Sequence, residues 1–308
     1  MKLRYVCLAL IILSFAFLAP SPAVAQEQPL NSSTVTPIAI GAEAGYLARE
    51  EGYLSEREYA DSTLRVRVET DRYLDTDMWI AHIQIAHPSQ LRAALADRYG
   101  SQKVMTAEQI AKRKNAVTAI NGDYYSYVNY GVVVRQGQLH RNKPNPNCDI
   151  LLIDDQGNLH ALLNADAEAF DQAYQQFGGV YDKGGRIVNA FTFGPTLVLD
   201  GKQAHEAFTR PDKSENKKTQ RTVFAQVAPL SYLFVICEGP ESPESRGLTL
   251  QEMTDYLLPL GCQIAYNLDG GSSSTLVLNN KKINSLSTRK NRPVSDIIYF
   301  STGEVTVP

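Results

Sequence analysis

The sequence is poor in the residues that build ready-made reactive centres. It has four cysteines and five histidines in 308 residues. No Cys or His cluster has zinc-ligand spacing. Beyond the leader, Cys148, Cys237 and Cys262 make an odd count, which argues against a disulfide framework. Cys237 and Cys262 sit in apolar runs, so a buried pair and two buried free thiols both stay open. His82, His87, His140, His160 and His205 are scattered, and His82 falls inside a strand pattern, where a structural role is expected. There is no P-loop and no G-x-G-x-x-G after a strand. A G-x-S-x-G elbow is also lacking, because Gly271-Ser272-Ser273-Ser274-Thr275 has no closing glycine and precedes a strand. Net charge is only -3, with pI near 6.0. That balance excludes an electrostatic case for nucleic acid or an anionic membrane surface, so an anionic ligand would have to be met by local arginines. No repeat of 20 to 50 residues is visible.

The one long apolar run is N-terminal. Lys2 and Arg4 precede residues 6–18, and Pro20, Pro22 and Ala23-Val24-Ala25 follow. A basic start, a short apolar core and an A-x-A site predict a signal peptide over 1–25 and a mature chain from Gln26. The run falls short of the roughly 20 residues of a spanning helix, so no stable membrane span is expected after cleavage. The protein is expected to be secreted or periplasmic.

After the leader, residues 26–60 predict a flexible stretch and a short helical extension, with Tyr46, Leu47, Tyr53, Leu54 and Tyr59 loosely on one face. Residues 61–308 predict one catalytic domain. Alternation at 64–68 and 79–86 reads as strands, and residues 88–100 as a helix through Leu91, Ala94 and Leu95. Thr106 to Gln109 and Thr249 to Glu252 are capping boxes that open helices. Residues 167–177 predict a helix with Phe170, Tyr174 and Phe177 on one face. Hairpin turns are expected at Gln136-Gly137, at 155–158, at Asp200-Gly201 and at Asn279-Asn280. The longest polar tract, 204–220, has no hydrophobic period and reads as a functional lid or a disordered loop. Helices inserted among hairpins predict an α+β (mixed α/β) fold around a hairpin-rich mixed β-sheet.

Two apolar runs end in the same chemistry. Residues 116–120 lead into Asn121-Gly122-Asp123-Tyr124-Tyr125, and residues 262–268 lead into Asp269-Gly270-Gly271-Ser272-Ser273-Ser274-Thr275. A buried strand that ends in a carboxylate delivers that group to the sheet's edge. The glycines let a ligand approach the backbone, and successive amides there suit an anion. A tight Asp-Gly turn with solvated serines is the alternative. Glu238 ends a third apolar run, and basic loops around 210–221 and 289–292 flank these strand ends. Arginine offers a fixed fork of donors that matches phosphate.

Four segments carry a family resemblance. They are 119–125; 193–201; Gln220-Arg221-Thr222; and 247–296, which runs from a capped helix through Asn267-Leu268-Asp269-Gly270-Gly271-Ser272 to Arg292-Pro293-Val294-Ser295-Asp296. In order and spacing the chain resembles the phosphodiester glycosidase family over roughly residues 64–300. One departure is visible, Val223-Phe224-Ala225 where members often follow Arg-Thr with a small residue and glycine. The resemblance implies cleavage of a glycosidic bond at a sugar 1-phosphodiester in a glycan or envelope polymer. On that basis Asp269, Asp123 and Arg221 are the expected catalytic residues. Asn121, Asn267, Glu238, Thr222, Gly270, Gly271, Ser272 and Arg292 are the expected substrate-binding residues. A carbohydrate or sugar-phosphate is the expected partner and no cofactor is expected, while Asp123, Asp269 and Asn267 leave a divalent cation such as Ca2+ open. Two alternatives stand beside this reading, a non-catalytic (phospho)glycan-binding envelope protein and a metal-assisted phosphodiesterase.

Overall fold

The computed structural model describes Leu30 and residues 35–179, 186–242, 244–284 and 292–305. The expected signal peptide and most of the basic loop before Arg292 lie outside these residues. The described chain folds into three antiparallel sheets, a two-stranded pair and three short α-helices. The fold is mixed and mostly β, as the hairpin signatures predict.

The largest sheet has nine strands. In spatial order they are Lys202–Gln203, Thr196–Leu199, Ile264–Leu268, Arg221–Ala228, Ser231–Cys237, Thr76–Ile85, Leu64–Tyr73, Glu58–Ala60 and Tyr53–Ser55. Strand side chains alternate between faces, and its central strands are apolar on both. Phe224, Phe234, Ile236, Tyr266 and Leu268 enter the main core. Val223, Ala225, Val235, Cys237 and Ala265 enter a second core together with Leu250, Met253 and Leu257 of the helix α3 (Leu250–Leu257). The Thr249–Glu252 capping box opens α3 as expected.

The second sheet has five strands, Lys281–Lys282, Leu276–Leu278, Thr118–Asn121, Asp296–Phe300 and Leu91–Leu95. Its outer face carries the helix α1 (Ala107–Arg113), which buries Ala107, Ile110 and Ala111 behind the Thr106–Gln109 capping box. Phe300 on this sheet meets Phe234 at 5.3 Å and Tyr232 at 5.2 Å from the first. Each such ring contributes about 1.5–3 kcal/mol by burial, so this cluster fixes how the two sheets sit together. The third sheet is Leu159–Leu162, Ile150–Asp154, Ile187–Thr192, Gly131–Arg135 and Gln138–Lys143. It is covered by the helix α2 (Ala167–Gln176) through Phe170 and Tyr174.

Three expectations are corrected. Residues 88–100 are not a helix: Pro88–Gln90 is one 3-10 turn and Leu91–Leu95 is a strand. Leu91 and Ala93 face one core and Ala94 another, and a short apolar run buried on both sides has no period that separates strand from helix. The expected helical extension at 42–61 holds only the 3-10 turn Glu50–Gly52 and then two strands of the nine-stranded sheet. The expected flexible stretch is tied down from residue 35: Val35–Thr36 pairs with Glu304–Val305, and buried Arg92 donates to the carbonyls of Ala39 and Ala42. Cys148, Cys237 and Cys262 are buried free thiols.

Candidate active site

The stretch after Leu268 is a crossover between sheets. The strand Ile264–Leu268 belongs to the nine-stranded sheet, Gly271–Ser273 is a 3-10 turn, and Leu276–Leu278 belongs to the second sheet. The alternative of a two-residue Asp-Gly hairpin turn therefore does not hold. Two more crossovers meet it. Asn121 to Tyr127 leaves the second sheet for the third, and Phe193-Gly194-Pro195 leaves the third for the first. The Asp269 amide donates to the Gly122 carbonyl at 3.3 Å, and Asn121 Nδ2 donates to the Asp269 carbonyl at 2.7 Å. Asn267 Nδ2 donates to the Gly194 carbonyl at 2.7 Å, and the Asn267 amide to the Pro195 carbonyl at 3.1 Å. Three crossovers thus close around one carboxyl group.

That group is Asp269, which is half-buried. Burial pushes its pKa up, against the pull of the Ser273 hydroxyl, Arg292, the Gly270 amide and Arg210. Arg292 is exposed, with its guanidinium 5.5 Å from the Tyr127 ring centroid. Arg210 is buried over Phe193, 3.9 Å from its centroid. Its Nη1 donates to the carbonyls of Phe193 and Gly194, and its Nε pairs with Asp212 at 3.0 Å. Phe193 meets Tyr124 edge to face at 5.0 Å. Two guanidiniums thus act on one carboxyl group, and each lies over an aromatic ring, Phe193 or Tyr127, the equipment for an anion beside a sugar ring.

The structure spreads the expected residues over several jobs. Asp123 lies beneath the site with its side chain fully buried. Its Oδ1 accepts from the Tyr125 amide at 3.1 Å and from Arg135 Nη2 at 3.3 Å, and its Oδ2 accepts from the Thr192 amide at 3.0 Å. Arg135 also donates from Nε and Nη2 to Asp296, whose other oxygen has no hydrogen-bond partner among the described residues. Burial pushes the Asp296 carboxyl well above the usual range despite Arg135, and the charges of Asp123 and Asp269 add to that.

Arg221 is not turned to Asp269. It donates to the main-chain carbonyls of Leu248, Ser214 and Lys217 at 2.7–3.1 Å, pinning the polar tract 204–220, and burial pushes its pKa down to about 10. Thr222 Oγ1 donates to Asn121 Oδ1 at 3.1 Å and meets Ser274 Oγ at 3.1 Å. Glu238 accepts from Asn284 Nδ2 at 3.2 Å, behind the crossover. The expected amide cradle is partly spent, since the Gly270 amide donates to Asp269 Oδ1 at 3.0 Å and the Gly271 amide to the Gln220 carbonyl at 3.1 Å. Gly270 is required there, because a Cβ would lie 2.6 Å from that carbonyl. Gly271 takes φ +61 and faces open space, with half-buried Ser272 beside it. Asn267 Oδ1 is buried with no partner among the described residues. No group of three His, Cys, Asp or Glu side chains is placed to hold a metal ion among the described residues.

Sequence reading left out Arg210, Arg135 and Asp296 as site-building residues. Arg135 had a signal, a charge that closes the apolar run Val132–Val134. Arg210 had one as well, its place at the start of the basic loop 210–221 that flanks the strand ends.

A family model described as phosphodiester glycosidase matches residues 114–301. In sequence the chain is 28% identical over 209 residues to the SPbeta prophage-derived uncharacterized protein YomE of Bacillus subtilis, covering 66% of this chain and 30% of that one. The chain therefore spans less than a third of that relative's length. Two solved structures share the fold. One is the zebrafish N-acetylglucosamine-1-phosphodiester alpha-N-acetylglucosaminidase catalytic domain auto-inhibited by its pro-peptide, with TM-score 0.60 and 16% identity over 83% of this chain and 86% of that one. The other is a hypothetical protein from Synechocystis, with TM-score 0.58 and 16% identity over 80% and 64%.

Proposed function

The chain belongs to the phosphodiester glycosidase family, and from that premise we propose that it hydrolyses the glycosidic bond of a sugar 1-phosphodiester, releasing a sugar and a phosphomonoester. The observation that carries this reading is Asp269, the half-buried carboxyl group at the meeting of three crossovers, with Arg210 and Arg292 acting on it. A phosphomonoester leaves readily, so protonating it matters less than for an ordinary sugar alcohol. The larger needs are to neutralise the phosphate and to stabilise an oxocarbenium-like transition state. Arg292 and the free edge of Arg210 hold the phosphate. Tyr124 and Phe193 bound the sugar, and Asn267 Oδ1 is a buried acceptor for a ligand hydroxyl. Asp269 supplies the carboxylate at the anomeric carbon, as nucleophile or as base on water, and the anomeric configuration of the released sugar separates the two. Asp123 and Arg221 support the site from below and from the side. The protein acts outside the cytoplasm, on the strength of the basic, apolar and A-x-A pattern of residues 2–25.

The test is hydrolysis of a panel of sugar 1-phosphodiesters in oxygen-18 water, with and without EDTA, beside Asp269→Asn. Label on the sugar, insensitivity to EDTA and an inactive variant are expected. Label on the phosphate would move cleavage to the P–O bond and favour a metal-assisted phosphodiesterase. Binding without turnover across the panel would make the protein a glycan binder.

A further inference from the structure

Arg210 reaches the site from the polar tract 204–220, and that tract begins on the pairing of half-buried His205 with buried Asp149. His205 Nε2 lies 2.7 Å from Asp149 Oδ2, with the two side chains 16% and 2% exposed. The same Asp149 oxygen accepts from the Thr196 amide at 2.7 Å, and Oδ1 accepts from the Asn164 amide at 2.9 Å. The Asp149 carbonyl accepts from Tyr266 Oη at 2.7 Å, and Tyr266 Oη accepts in turn from the Phe193 amide at 2.9 Å. Asp149 is therefore the common anchor of the Phe193–Thr196 crossover, whose carbonyls grip Arg210, and of the loop that carries Arg210 to them. Between the pair and Arg210 lies a cavity of about 10 Å³, bounded by Asp149, His205, Phe193, Pro195, Thr209 and Arg210, which is room for one water. Nothing in the proposed chemistry uses His205 or Asp149.

We propose that His205, locked on the buried Asp149 carboxylate, is a positioning residue that sets where Arg210 stands and thereby how tightly the site holds an anionic substrate. The inference rests on the reading that Arg210 faces the phosphate. The charged and titratable groups around His205 are Asp149, Cys148 and Arg210 lining the cavity, with Asp212 paired to Arg210. The hydrogen bond to Asp149 raises the His205 pKa above its ordinary value, against burial. The charged form of the latch therefore persists to higher pH than in a free imidazole, and it is lost as pH rises through that raised pKa.

The experiment compares His205→Ala, His205→Gln and the wild-type chain by two readouts. The first is KM and kcat on a sugar 1-phosphodiester across pH. The second is amide hydrogen exchange of residues 204–214, corrected for the intrinsic pH dependence. His205→Ala is expected to raise KM about tenfold, the scale of one charge-assisted hydrogen bond, with kcat nearly unchanged and faster exchange in the loop. His205→Gln keeps a donor without a titration, so it should restore the loop's protection and remove the rise of KM with pH seen in the wild type. Wild-type exchange in His205→Ala, or the same KM–pH curve in His205→Gln, would overturn the inference. Absence of turnover by every form would remove the glycosidase reading alone, because exchange decides the latch without it.

Discussion

The structure separates two carboxylates that look alike in the sequence, and Asp123→Asn against Asp269→Asn measures the separation. Asn at position 123 keeps the shape and loses the charge. Arg135, whose side chain is 3% exposed, keeps Asp296 but loses its contact with Asp123. One of the two amides now satisfied by Asp123, Tyr125 N or Thr192 N, would face an NH2 group. Breaking a buried pair costs about 3–5 kcal/mol, and an orphaned buried amide costs about 1–3 kcal/mol. Arg135 retains a second carboxyl, so the lower end applies, and about 4 kcal/mol is the expected total. For a domain of this size that is a fall in Tm of roughly 8–16 °C. Turnover well below that Tm should persist.

Asp269→Asn should do the reverse. Burial disfavours the charged form of Asp269, so a neutral side chain should leave Tm unchanged or slightly higher. Loss of the carboxylate should lower kcat by about a thousandfold or more, near 4 kcal/mol of transition-state stabilisation. Calorimetry and hydrolysis on the same preparations give both axes. A well-folded Asp123→Asn with wild-type Tm and no turnover would refute the reasoning, because it would put Asp123 in the chemistry.

The proposed role of Asp269 uses its ionised form and its pKa is raised, so the acid limb of kcat/KM should lie above the ordinary aspartate value of about 3.9. The fold favours its protonated form, so that contribution to stability is lost as pH rises through the raised pKa, and Asp269→Asn should flatten this part of a Tm–pH curve. Arg221→Met leaves the Leu248, Ser214 and Lys217 carbonyls without their donor; a loss of about 3 kcal/mol and a larger change in KM than in kcat are expected from calorimetry and kinetics. Gly122→Ala places a Cβ 2.5 Å from Asp296 Oδ1 inside a closed cluster, and thermal melts should show a loss of about 1–3 kcal/mol. A chain starting at residue 47 leaves buried Arg92 without the Ala39 and Ala42 carbonyls; its Tm should fall and its turnover per folded molecule should not rise.

Local chemistry determined much of this protein from the sequence alone. The capping boxes at Thr106 and Thr249 place α1 and α3, since a cap is satisfied within four residues and needs no distant partner. The turns at Gln136-Gly137, Asp200-Gly201 and Asn279-Asn280 all take the positive φ that their residues tolerate. The run that ends in Asp269 is a buried strand, and its family resemblance agrees with the family model over 114–301. What the sequence did not determine depends on which sheet each strand joins. Leu91–Leu95 reads as a helix until a core lies on both of its sides. Asp123 and Asp269 share the same strand-end signature, but one closes on Arg135 and the other sits half-buried under the influence of Arg210 and Arg292. Arg221 looks like the phosphate arginine until two carbonyls of the preceding loop and that of Leu248 occupy its donors. A charge's role follows from what surrounds it after burial, and only the meeting of three crossovers from three sheets fixes those surroundings.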